Sequence, residues 1–228
     1  MCAAAYNGYV NRACDHPNLK REGEQQVISI YDLKPRFQAL LHPLAGRAAR
    51  QGITPNQITV AALVASVVTG FALFSWPAER WTLLLVPVTL FVRMALNALD
   101  GMLAREHNMQ SKLGVFLNEM GDVFSDAVLY LPFISIPGVS ALLVVLVVLL
   151  ATATEMTGVV AIQIGARRRY DGPMGKSDRA FVFGAIALLL GMGARVGTWV
   201  NMVLAVMVFL LIVTIVNRVS KALQEVRR

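Results

Sequence analysis

Charge is scarce in this chain. Only 15% of its 228 residues are Asp, Glu, Lys or Arg, against 56% hydrophobic residues and a mean hydropathy of +0.59. Soluble domains carry about a quarter charged residues, so an ordinary soluble fold is excluded. Cysteine is almost missing: Cys2 and Cys14 both lie in the polar first stretch, which excludes a disulfide frame and a cysteine-zinc site. The first residues have no basic segment leading into an apolar one, so no signal peptide is expected. Gly175-Lys176-Ser177 resembles the end of a phosphate-binding loop, but that pattern needs glycine five residues before Gly175, where Tyr170 stands. No nucleic-acid partner is expected.

Long apolar runs are present instead, and they define an all-α membrane protein. Residues 1–27 have no apolar period and read as a disordered polar segment. Residues 28–52 place Phe37, Leu40, Leu41, Leu44 and Ala48 at helical spacing among Arg36, Arg47 and Arg50. That pattern predicts an amphipathic helix lying on the membrane surface, kinked at Pro43. Thr54, Pro55 and Gln57 supply an N-cap, a first-turn proline and a capping box. Six transmembrane helices are expected within residues 53–218: about 56–76, 81–103, 113–137, 140–165, 179–192 and 196–217. A basic tail, 219–228, follows.

The cations give the orientation. Of 21 Lys and Arg, eighteen fall before the first span, after the last, or in the loops between spans two and three and spans four and five. The other loops hold only Arg80 and Arg195, and Arg93 lies inside span two. By the positive-inside rule both termini are cytoplasmic.

Within this apolar frame, residues 97–126 read NALDGMLAREHNMQSKLGVFLNEMGDVFSD. Asn97 and Asp100 share a face of span two; Asn118, Asp122 and Asp126 form a row at four-residue spacing on span three. Two antiparallel helices would aim these oxygens at each other at the cytoplasmic surface. Carboxylate and carboxamide oxygens are hard ligands that suit Mg²⁺ or Mn²⁺, with substrate phosphates completing the shell. Gly101, Ala104 and Gly114 are small enough to admit a ligand or a neighbouring backbone. A polar seam that merely glues helices would need fewer such residues. Arg93 and Asp126 fall at matching depths along antiparallel spans, which predicts a structural ion pair between them, with Glu155 as the rival partner. Glu119 is rotated off the Asn118/Asp122 face and is expected at a helix or subunit contact. In the loop ARRRYDGPMGKSDRA, glycines and a proline hold the turn before Lys176, Ser177 and Arg179, which become candidates to bind an acceptor phosphate or headgroup.

The stretch resembles the signature of the CDP-alcohol phosphatidyltransferase family, D-x2-D-G-x2-A-R-x8-G-x3-D-x3-D. Asp100, Gly101, Ala104, Arg105, Gly114 and Asp122 match it in identity and spacing, while Asn97 and Asn118 stand at its first and third Asp. NALDGMLARE and GKSDRA are similar to a bacterial subgroup of that family. The resemblance implies a transferase that moves a phosphatidyl group from CDP-diacylglycerol to an alcohol or phosphorylated polyol and releases CMP. It also implies a homodimer in the bacterial inner membrane, with a cytoplasmic active site. It further implies two divalent metals on the diphosphate. Asp100 would bind metal and the nucleotide region, and Asn97 and Asn118 would be weaker, neutral metal ligands. Asn56, Gly101, Ala104, Arg105 and Gly114 would line the CDP-lipid site, and Asp122 would bind metal and act as base. Two carboxylates in place of four leave three outcomes: two metals held less tightly, one metal, or a binding protein without turnover.

Overall fold

The structure is a computed structural model that describes residues 30–227, with side chains from residue 39. The segment 1–27 lies outside the described residues, as do the side chains of Arg36 and Phe37. Chain contacts separate residues 1–37 from residues 38–228, and the helical bundle with its site belongs to the second unit.

Seven α-helices make up the described chain: α1 (Ile30–Arg50), α2 (Pro55–Ser75), α3 (Arg80–Glu106), α4 (Lys112–Tyr130), α5 (Ala141–Gln163), α6 (Lys176–Gly191) and α7 (Thr198–Val226). A 3-10 turn, Leu131–Ser135, prolongs α4 past Pro132. In α1, which runs unbroken through Pro43, Leu41 and Ala45 are buried while Leu40 and Leu44 stay exposed. Exposed leucines beside Arg47 and Arg50 suit a helix at a bilayer surface. The start of α2 closes as a capping box: Gln57 N donates to Thr54 Oγ1 (3.3 Å) and Thr54 N to Gln57 Oε1 (2.9 Å).

By length and composition, α2, α3, α5 and α7 can each cross a membrane. The carboxylates Glu119, Asp122 and Asp126 keep α4 out of that class. Helix α6 has 16 residues, about 24 Å, short of the roughly 30 Å hydrocarbon layer. The last helix differs from the expected sixth span: it continues to Val226 and takes in most of the stretch expected as a basic tail.

Helices α2, α3 and α4 pack together on one side, α5 and α7 on the other, and α6 lies on α3. Gly70 lets α2 meet α4, because a Cβ there would collide with the Val128 carbonyl. The Tyr130 ring stacks on Phe183 at 4.0 Å, and Phe133 meets Phe183 edge-on at 5.0 Å, so α6 is locked to the end of α4. Such aromatic pairs add about 0.5–1.5 kcal/mol each beyond their buried area. One end of the bundle is thereby fixed as an apolar core of Leu73, Val86, Leu129 and Leu204, and polar residues collect at the other.

Candidate active site at the ends of α3 and α4

The turn between α3 and α4 is short, with Asn108 in the left-handed region (φ 54°). Ser111 caps α4, accepting from Gly114 N at 2.9 Å, and Asn56 Nδ2 of α2 donates to the same Ser111 Oγ at 3.5 Å. The small Gly114 makes room for this. A Cβ there would lie 2.8 Å from Asn56 Oδ1. Asn56 and Gly114 are therefore neighbours across the α2–α4 contact. Arg105 folds back on its own helix, its Nη2 3.2 Å from where a Cβ on Gly101 would stand, and its side chain remains exposed. Ala104 is half-buried one residue earlier.

Two carboxylates lie at the centre. Asp100 is 6% exposed and accepts from Thr59 Oγ1 at 2.9 Å. Among the described residues no basic side chain lies within 4.0 Å of it. Asp122, half-buried on α4, accepts on Oδ1 from Asn97 Nδ2 at 3.1 Å and pairs on the same atom with the Lys176 ammonium. Arg93 Nη2 stands 4.0 Å from that oxygen. Asn118 is half-buried one turn before Asp122. The two helices thus bring Asn97, Asp100 and Asp122 to one place, with Asn118 one turn earlier on α4, and Lys176 joins them from α6.

One turn deeper lies a second layer. Arg93 Nη2 donates to Asp126 Oδ1 at 3.0 Å, and Arg179 Nη2 reaches Asp126 Oδ2 and Glu155 Oε1, both at 3.2 Å. Arg218 of α7 stands 3.8 Å from Glu155 and donates to the Thr154 carbonyl. Glu119 pairs with Arg168 of the α5–α6 loop, whose Nη2 is also 3.8 Å from Glu155.

This corrects the reading of Arg179 as an acceptor ligand. Its side chain is 1% exposed and committed to Asp126 and Glu155. The cause is local: Asp178 Oδ2 accepts from Gly175 N at 2.8 Å, so α6 starts at Lys176, three residues before the expected start. Lys176 then points at Asp122 while Arg179 turns inward, and Ser177 is left exposed. Thr59 and Arg218 went unnoticed in the sequence. Arg218 had a signal: it continues the buried row Leu204, Met207, Leu211 and Thr214 along α7.

The donor set can be tested against a metal. Among the described residues no three His, Cys, Asp or Glu side chains converge as metal ligands. Asp122 Oδ1 already serves an amide and an ammonium, whereas the Asp100 carboxylate is buried without a cation. Burying an unpaired carboxylate is costly, so a divalent cation fits the chemistry of the Asp100 carboxylate.

Comparisons with known proteins give the family and the fold. Residues 52–219 match the CDP-alcohol phosphatidyltransferase domain, and the chain belongs to that family. It is 44% identical over 196 residues to the inner membrane protein YnbA of Escherichia coli (strain K12), covering 86% of this chain and 97% of that one. It is 34% identical over 95 residues to an archaetidylinositol phosphate synthase of Pyrococcus horikoshii, covering 42% of this chain and 48% of that one. The fold is similar to Mycobacterium tuberculosis phosphatidylinositol phosphate synthase with CDP-DAG bound: TM-score 0.67 at 18% identity, over 79% of this chain and 92% of that one. The same enzyme has also been solved with manganese and citrate, again with a TM-score of 0.67, at 18% identity over 79% of this chain and 87% of that one. The chain is thus a multi-pass membrane protein of a transferase family.

Proposed function

We propose that this protein moves the phosphatidyl group of CDP-diacylglycerol onto an alcohol acceptor and releases CMP. The observation that carries this is the pair Asp100 and Asp122 at adjoining helix ends, one buried with no basic side chain of the described residues within 4.0 Å and the other held by Lys176. The family and the CDP-DAG-bound structural relative support the substrate class.

In this reading the acceptor oxygen bonds to the phosphatidyl phosphorus. The diphosphate P–O bond breaks with its electron pair on CMP, and the hydroxyl proton passes to Asp122. A hydroxyl is a weak nucleophile until a base takes that proton. Asp100, with Asn118 and Asp122 close to it, would hold a Mg²⁺ or Mn²⁺, which supplies charge neutralisation at the diphosphate. Asn56, Gly101, Ala104, Arg105 and Gly114 would line the CDP-lipid, whose tails stay in the bilayer. The exposed Ser177 and the Lys176 ammonium would face an acceptor, and the basic loops favour a phosphorylated alcohol such as glycerol 3-phosphate. Six crossings, both termini and the site on the cytoplasmic side, and a homodimer in the inner membrane complete the proposal. The distribution of Lys and Arg and the inner-membrane relative support the sidedness and location.

A second reading, a CDP-lipid-binding protein without turnover, is favoured by Asn97 and Asn118 and by the occupied Asp122. CMP release decides between them. Purified protein with CDP-diacylglycerol and Mn²⁺ is given glycerol 3-phosphate, serine, inositol phosphate or glycerol. Release with one acceptor, falling about 10²–10⁴-fold in Asp122→Ala, establishes transfer. CDP-lipid binding without CMP from any acceptor establishes the second reading.

A further inference from the structure

Asp100 and Asp122 face the same space but have different neighbours. Asp100 has the Thr59 hydroxyl and, among the described residues, no basic side chain within 4.0 Å, whereas Asp122 has an ammonium and an amide on one oxygen. A carboxylate can only accept, so Asn97 must present its N–H₂ to Asp122 and its carbonyl oxygen elsewhere. Asn97 therefore supports the charge on Asp122 as a donor.

Lys176 is not a loosely solvated lysine. It is the first residue of α6, and the backbone before it is pinned twice: Met174 N donates to Thr214 Oγ1 at 3.1 Å, and Gly175 N to Asp178 Oδ2 at 2.8 Å. The side chain is 32% exposed, so its head is held in the site while open to a ligand. From this geometry we infer that the Lys176 ammonium takes the place of one divalent cation, leaving the site to bind one dication, on Asp100.

This inference rests on the phosphatidyl-transfer reading above and names how that site is charged. Two carboxylates carry −2 at neutral pH. With Lys176 and one dication the site reaches +1, which an anionic diphosphate offsets. With Lys176 and two dications it would reach +3 in a half-buried space, and repulsion there is strong. An ammonium also donates three hydrogen bonds, so Lys176 can hold Asp122 and a phosphate oxygen together.

The test counts ions directly. Full-length protein in detergent is titrated with Mn²⁺, and free Mn²⁺ is read by electron paramagnetic resonance. Wild type is expected to bind one Mn²⁺ per chain. Lys176→Met removes a nearby positive charge and is expected to tighten that binding about tenfold. Lys176→Arg, which keeps the charge, is the second variant and is expected to bind like wild type. Adding Asn97→Asp and Asn118→Asp to Lys176→Met is expected to bring the count to two. Two ions in wild type, or none, overturns the inference. So does a Lys176→Met affinity for Mn²⁺ that is unchanged or weaker, with only the acceptor KM raised. Failure of the transfer reading looks different: one Mn²⁺ per chain with the expected response to Lys176→Met, but no CMP from any acceptor.

Discussion

Asp122 and Asp126 are one turn apart on α4, yet they are neutralised by different chemistry. Asp126 is buried between two guanidinium groups, Arg93 at 3.0 Å and Arg179 at 3.2 Å. Asp122 has an ammonium, a carboxamide, and a guanidinium no nearer than 4.0 Å. Guanidinium is always charged, planar and rich in donors, which suits a permanent pair inside a bundle. The ammonium is a compact charge on a flexible stem, so its partners can be exchanged. The inner layer joins α3, α4, α5, α6 and α7 through charge; in the outer layer Asp100 has, among the described residues, no basic side chain within 4.0 Å. Burial alone does not separate structure from function here, since Asp100 and Asp126 are both 6% exposed. The number and kind of cations does.

This contrast can be broken from either side. The largest effect is expected from Asp126→Ala, which leaves Arg93 and Arg179 with a lost partner in the interior and should cost about 3–5 kcal/mol. Thermal denaturation in detergent reads this, and a wild-type melting curve would show that the inner layer is not structural. Asp100→Asn should do the reverse: CMP release falls about 10²–10³-fold, while the metal-free protein melts at the wild-type temperature or above it, because an unpaired carboxylate has gone. Thr59→Val, which removes the hydroxyl that orients Asp100, should weaken Mn²⁺ binding about 10–100-fold, measured by the same titration. The smallest effect belongs to the surface. Lys221 holds the Asp171 carboxyl below its ordinary value of 3.8 through a hydrogen bond at 2.7 Å. A depressed carboxyl stabilises the fold above its unfolded pKa, and that contribution is lost as pH falls through the lower folded value. Lys221→Ala should therefore cost less than about 1 kcal/mol at neutral pH, with the difference from wild type vanishing in acid. Denaturation at pH 7 and pH 2 checks it.

Much of the fold was legible because helix signals are local. Thr54, Pro55 and Gln57 mark the start of α2 within one residue, and apolar runs place α3 and α5. The motif residues share helix faces because their three- and four-residue spacings say so. Depth is also readable, since each residue rises 1.5 Å; Arg93 and Asp126 lie at one level. What could not be read depends on how loops deliver their ends. Nothing local to GKSDRA tells that Asp178 caps Gly175, and that cap decides which of Lys176 and Arg179 faces Asp122. The partners of Glu155 come from α6, α7 and the α5–α6 loop, and of Glu119 from that loop, so no spacing within α4 or α5 encodes them.

The α5–α6 loop is fastened by residues synthesised much later. Arg169 pairs with Glu225 at 2.5 Å, Lys221 with Asp171, and Arg218 Nε donates to the Asp171 carbonyl at 3.3 Å. The clasping groups follow their loop partners by 47 to 56 positions. During synthesis at the membrane the loop that presents Lys176 must therefore wait, unfastened, until most of α7 has left the ribosome. The end of the bundle that gathers Asp100, Asp122 and Lys176 is therefore fastened only once α7 has been made and has packed against the loop.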